Sequence, residues 1–195
     1  MSQSDVLLKI QQAEIEQWEE LDLSGMELTE IPVEIGLLVH LKRLILGKYE
    51  NECVIGNLLT TLLPELEYLE QLEELILCNI KISVIPEVIS QLINLRHLDL
   101  SFNQIGVIPD SIAQLTNLTI LDLDINHISV IPDSIAQLTN LTFLNLEHNQ
   151  IRVIPDSIAQ LTNLTRLDLH NNQISVIPKS IAQLKNLTNL TLNGN

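Results

Sequence analysis

The sequence predicts an α/β solenoid built from thin, repeated coils. Three observations carry that expectation: a fixed 23-residue period, an L-x-x-L-x-L-x-x-N-x-I pattern that opens each period, and a core almost without aromatic residues. Val107–Thr119 recurs letter for letter at Val130–Thr142 and again at Val153–Thr165. Hydrophobic residues make up 46% of the 195 residues but aromatic ones only 3%, so the interior must be filled by leucine and isoleucine.

The opening pattern is clearest in four copies. It places Leu95, Leu98, Leu100, Asn103 and Ile105 in one, then Leu118, Leu121, Leu123, Asn126 and Ile128. Leu141, Leu144, Leu146, Asn149 and Ile151 follow, then Leu164, Leu167, Leu169, Asn172 and Ile174. In L-x-L the leucines lie two apart, so a short strand points both to one side. Successive strands then stack about 4.8 Å apart into a parallel sheet. The asparagine falls where the chain leaves the strand, and its amide can satisfy backbone groups that a tight turn leaves unpaired. Repeated at Asn103, Asn126, Asn149, Asn172 and Asn195, it predicts a ladder inside the stack. The second half, Ile-Pro-Asp-Ser-Ile-Ala-Gln-Leu, spaces its apolar residues for a short helical or 3₁₀ turn on the outer curve.

These residues resemble the leucine-rich repeat, and the I-P-x-x-I-x-x-L half is similar to the intracellular subclass. That subclass includes plant Ras-group leucine-rich proteins, animal Ras-pathway scaffolds and bacterial Roco proteins. The likeness covers about residues 18–195. It implies a right-handed arc with a concave parallel β-sheet and convex helical or 3₁₀ turns. The N-terminal repeat domain of Roco proteins looks most similar; there the repeats precede a Ras-like GTPase domain, so the resemblance implies a regulatory or partner-recruiting role.

Repeats before Leu95 are looser. The first runs from Trp18 with Leu21, Leu23 and Leu28, and puts Met26 at the asparagine position. The second has Leu41, Leu44 and Leu46, with Tyr49 at that position; it extends to Gln71, 31 residues instead of 23, with the extra residues in the Tyr49–Leu63 region. The third has Leu72, Leu75 and Leu77, with Ile80 at that position. Each departure is expected to break one ladder rung. In all, about eight repeats are expected over 18–195, the last truncated.

Residues 1–17 are expected to cap the first coil. Ser2–Gln17 reads as an amphipathic helix with Val6, Leu7, Ile10, Ala13 and Ile15 on one side and Ser4 as its N-cap. A membrane-surface helix would need basic residues on the polar side, and Lys9 is the only one. At the far end, Leu187, Leu190 and Leu192 open a repeat that stops at Asn195 without a polar cap. The sequence is therefore expected to be part of a longer chain, with a tendency to self-associate through that end.

The net charge of −15 argues against nucleic acid and anionic membranes as partners. The charge is uneven, with 17 acidic against 5 basic residues up to Gln91, and reads as a solubility device. Two cysteines, Cys53 and Cys78, make no disulfide framework, and Met1–Asp5 lacks the basic start of a signal peptide, so a cytoplasmic setting is expected. Five N-x-T sequons, at Asn117, Asn140, Asn163, Asn186 and Asn189, are by-products of the repeat.

No catalytic or cofactor constellation emerges. Gly47-Lys48 fails as a phosphate loop, because Lys42 stands where the first glycine is needed and Tyr49 where serine or threonine is. His97, His148 and His170 lie near Asp99, Asp122, Asp124, Glu147 and Asp168, but a flat sheet shows side chains in rows, which argues against converging metal ligands.

What does vary between copies is the strand face. The third residue of each repeat reads His97, Ile120, Phe143, Arg166, and the residue before the ladder asparagine reads Phe102, Ile125, His148, Asn171. Copies that agree where they pack and differ where they face solvent suggest a surface fitted to a protein partner, either a separate protein or a domain of the same full-length chain. The predicted concave binding face comprises Arg96, His97, Asp99, Phe102, Ile120, Asp122, Ile125, Phe143, Asn145, His148, Arg166 and Asp168. Phe102, Ile120, Ile125 and Phe143 are expected to form one apolar patch rimmed by charge. Two alternatives to a Roco-type module are a stand-alone repeat scaffold and the substrate-recognition part of a bacterial effector enzyme.

Overall fold

The computed structural model describes residues 3–195 and shows a leucine-rich-repeat solenoid. Helix α1 spans Gln3–Ile15. The strands are β1 (Glu20–Asp22), β2 (Arg43–Glu50), β3 (Cys53–Ile55), β4 (Glu74–Leu77), β5 (His97–Asp99), β6 (Ile120–Asp122), β7 (Phe143–Asn145), β8 (Arg166–Asp168) and β9 (Asn189–Thr191). All but β3 pair in parallel with the strand of the next coil, and the register keeps equivalent residues side by side: Leu75, Leu98, Leu121, Leu144, Leu167 and Leu190 form one row.

The outer curve consists of seven five-residue 3₁₀ turns, from Val33–Leu37 to Lys179–Gln183. In six of them a proline stands just before the first residue, and Pro64 opens the remaining one. Its ring holds φ near the helical value and removes an N–H that would have no partner there. Each such turn carries two bonds of this kind, as where Ile112 N–H donates to the Pro109 carbonyl and Leu115 N–H to the Ile112 carbonyl, both at 3.1 Å. Turns of successive coils pack against one another along this curve.

Between the two curves lies one continuous core of leucine and isoleucine. Helix α1 covers its N-terminal end, with Val6, Ile10 and Ala13 fully buried. Two expectations about the helix change. Ile15 is 82% exposed, because it falls beyond the stripe that touches the first coil. Ser4 sits inside the helix, which already begins at Gln3, so it is not the N-cap; Ser2 lies outside the described residues.

The asparagine ladder is present. Asn126 donates from Nδ2 to the carbonyls of Leu100 and Leu123, and its Oδ1 accepts the Ile105 N–H at 2.9 Å. The same bonds recur at Asn103, Asn149, Asn172 and Asn195.

The second repeat differs from the expectation of a broken rung. Its extra residues form a hairpin: β2 runs on past the sheet and turns at Asn51-Glu52, both at positive φ, into antiparallel β3. The chain then returns to place Asn57, not Tyr49, in the ladder. Asn57 donates to the Leu23 and Leu46 carbonyls and accepts the Leu28 N–H at 2.9 Å. The hairpin stem passes so close to the next coil that a Cβ on Gly47 or Gly56 would lie 1.9 Å from the carbonyl oxygen of Cys78 or Asn79. At Ile80 the apolar side chain is buried, and its N–H is taken up by Asn103 of the following coil at 3.1 Å.

Candidate protein-binding face

Every coil presents the same few outward positions, so register sorts the predicted residues into rows. One row runs Glu74, His97, Ile120, Phe143, Arg166; the next runs Asp99, Asp122, Asn145, Asp168. Arg96 precedes its strand and faces Glu73, 3.4 Å away.

Phe102, Ile125 and His148 are not strand residues. Each has left the sheet and adopts φ of 56°, 49° and 49°, respectively. They form a separate row along the strands' C-terminal edge, joined by bonds such as Phe102 N–H to the Asp124 carbonyl at 2.9 Å. Phe102 lies five positions along the chain from His97, beyond the turn that follows Asp99, and so falls outside the His97 row. The single apolar patch expected from sequence is therefore two. Ile120 and Phe143 pair in mid-sheet, with the Arg166 guanidinium 4.8 Å from the Phe143 ring centroid. At the edge, Phe102 stacks on Tyr49 of the hairpin, with centroids 5.7 Å apart and planes 9° from parallel.

Between the two patches lies a polar band with a structural task of its own. Asp99 accepts the backbone N–H of Ser101 at 2.8 Å, Asp122 that of Asp124 at 3.0 Å, and Asn145 that of Glu147 at 3.1 Å. These bonds turn the chain out of the strand, which explains an Asp or Asn in this row. Asn145 Nδ2 also donates to Asp122 at 3.2 Å. Burial, reinforced by the neighbouring Asp99 charge, pushes the Asp122 carboxyl up to about 7. Burial also lowers the His97 imidazole, so it favours the neutral ring.

Asp168 corrects the sequence reading. It belongs to the predicted concave binding face, but it is fully buried. Its Oδ2 lies 2.6 Å from Arg166 Nη2 and its Oδ1 accepts the Thr191 hydroxyl at 3.1 Å. Arg166 covers it, so Asp168 holds the guanidinium in place over Phe143 and offers no surface to a partner.

Constancy on the outer side also has a specific cause. Asn117, Asn140, Asn163 and Asn186, all in sequons, donate to the carbonyls of Ile93, Thr116, Thr139 and Thr162, making a second, outer ladder. Thr119, Thr142, Thr165 and Thr188 add a hydroxyl ladder beside it. Not every constant residue packs, however. Val107, Val130 and Val153 are 64–70% exposed, and nothing in the packing requires them.

Three groups outside the predicted set of binding residues also belong to this face. Tyr49 reaches it only through the hairpin. Asp124 and Glu147 lie beside His148, with donor atoms of all three within 4.8 Å of one another. The argument that a flat sheet keeps ligands apart fails here, because the positive-φ turn at His148 swings its ring toward the preceding coil. Among the described residues no helix is long and apolar enough to cross a membrane.

The leucine-rich-repeat family model matches residues 70–128, 93–151 and 139–195. The chain belongs to the leucine-rich-repeat family. Similar solved structures include the ectodomain of the plant receptor kinase GASSHO1/SCHENGEN3 from Arabidopsis thaliana, in complex with CASPARIAN STRIP INTEGRITY FACTOR 2. It is 31% identical over 84% of this chain and 19% of its own, with a TM-score of 0.73. A TDR receptor is 33% identical over 85% of this chain and 28% of its own, with a TM-score of 0.73. An internalin from Listeria monocytogenes is 26% identical over 82% of this chain and 50% of its own, with a TM-score of 0.64. The chain thus spans half or less of each of these proteins. Among curated proteins none matches it.

Proposed function

We propose that this repeat protein binds a polypeptide partner on its concave face and performs no chemistry itself. The observation that carries this reading is the half-exposed pair Ile120–Phe143 in mid-sheet, with Phe143 held under an arginine that a buried aspartate fixes. An aromatic presented on a rigid surface beside an oriented guanidinium suits an interface anchor. Two similar repeat structures support it: the GASSHO1/SCHENGEN3 ectodomain is in complex with CASPARIAN STRIP INTEGRITY FACTOR 2, and the plant peptide hormone receptor RGFR1 with RGF2.

The test begins with a photo-crosslinking residue at position 143 to identify the partner, followed by its affinity for purified variants. Phe143→Ala, with folding verified, should weaken binding by about 2 kcal/mol, some 30-fold. Val153→Ala on the opposite side should leave it unchanged. The reverse pattern would move the interface to the outer curve.

The finer reading is the N-terminal regulatory part of a Roco-type signalling protein in the cytoplasm. It is supported by the I-P-x-x-I-x-x-L half-repeat and by two free thiols, Cys53 exposed and Cys78 buried. It requires G-x-x-x-x-G-K-[ST] downstream of Asn195 in the gene product. Further repeats there would favour a scaffold instead, and a catalytic domain with its own nucleophile an effector enzyme.

A further inference from the structure

We propose that Asp124, Glu147 and His148 form a site for one divalent transition-metal cation of the zinc class, at the C-terminal edge of the concave sheet. The donor atoms come from two adjacent coils. Asp124 and Glu147 occupy equivalent positions on successive coils, the coil spacing bringing them side by side. His148 follows Glu147, and its positive φ turns the ring back across that spacing. Its Nδ1 lies 3.1 Å from Asp124 Oδ1.

That separation suits a shared ion as well as a shared proton. Two ligands bound at about 2.0–2.1 Å stand roughly 2.9 Å apart at a right angle and roughly 3.4 Å apart at the tetrahedral angle. The observed pair falls inside this window, and all three donor atoms lie within 4.8 Å of one another, so a small movement of the Glu147 side chain completes the contact.

Access and charge also fit. The Asp124 side chain is 18% exposed and that of His148 43% exposed, so an ion can enter while one carboxylate remains sheltered. A nitrogen among the donors selects zinc, cobalt or nickel over magnesium and calcium, which prefer all-oxygen sets. A second imidazole lies beside the site. The His170 ring meets the His148 ring edge-on at 5.3 Å, and its buried Nδ1 makes no hydrogen bond.

The test uses the whole 195-residue chain, stripped with a chelator and titrated with zinc sulfate by calorimetry and with cobalt chloride by visible absorption. The expected result is one ion per chain, with His148→Ala and Glu147→Gln each weakening zinc at least 10-fold and His127→Ala leaving it unchanged. Cobalt should give the visible bands of a low-coordinate site, lost in His148→Ala. Both altered side chains are at least partly exposed, and circular dichroism confirms that each variant is folded. Absence of zinc binding, or binding that survives both His148→Ala and Glu147→Gln, overturns the assignment.

Discussion

Replacing Asn57 by alanine is expected to destabilise the protein far more than replacing Tyr49, although alignment of the repeats puts Tyr49 at the ladder position. Asn57 is 2% exposed and links three backbone groups, the Leu28 N–H and the carbonyls of Leu23 and Leu46. Alanine cannot reach any of them, and no water-filled space replaces the amide inside a leucine core. A buried polar group left without a partner costs about 1–3 kcal/mol. The low end for all three groups gives about 3 kcal/mol. Tyr49 is 57% exposed, and its truncation removes one stacking contact with Phe102, worth about 0.5–1.5 kcal/mol. Urea unfolding followed by circular dichroism measures both costs. Because each coil contacts only its neighbours, native-state amide exchange should localise the effect. The Leu28 amide should lose protection in Asn57→Ala and keep it in Tyr49→Ala. Equal costs, or a larger cost for Tyr49→Ala, would show that the hairpin does not return the chain to the ladder at Asn57.

Three further outcomes are expected. The Asp122 carboxyl titrates near 7 when folded and near 3.8 otherwise, so the folded state binds the proton more tightly and stability falls as pH rises between those values. Asp122→Asn, which reproduces the residue one coil on at Asn145, should raise the urea midpoint at pH 8 and change it little at pH 4. The ceiling is about 4 kcal/mol, lowered by residual solvent access, and a gain independent of pH would refute the cause. The Cys78 thiol is buried and pushed up to about 12, whereas Cys53 is exposed. Iodoacetamide at pH 8 should therefore add one label to the native protein and two after denaturation, by mass spectrometry; rapid double labelling of native protein would contradict the packing. Gly56→Ala should cost several kcal/mol in a thermal melt, since its Cβ would overlap the Asn79 carbonyl, and a neutral effect would mean the hairpin stem stands further from the next coil.

Periodicity alone was enough for the stack, because a 23-residue repeat leaves each leucine one place to go. The row Leu98, Leu121, Leu144, Leu167 is buried as its spacing demands, and the asparagines at the same period reach the same carbonyls. Local spacing could not say how a side chain at a turn is aimed. Phe102 and Ile120 look like neighbours on a repeat diagram, yet a positive φ puts Phe102 in another row, and neighbouring rows decide which acids are sheltered. Asp168 reads as a surface charge until Arg166 and Thr191, from its own and the next strand, are folded over it. The insertion shows the same limit, because counting residues cannot tell that eight extra positions are spent on a hairpin that returns Asn57 to the ladder and swings Tyr49 toward Phe102. Core placement follows from a pattern repeated along the chain. The character of the binding face comes from contacts between coils, where each residue's neighbours lie about 23 positions away and every turn angle changes what they meet.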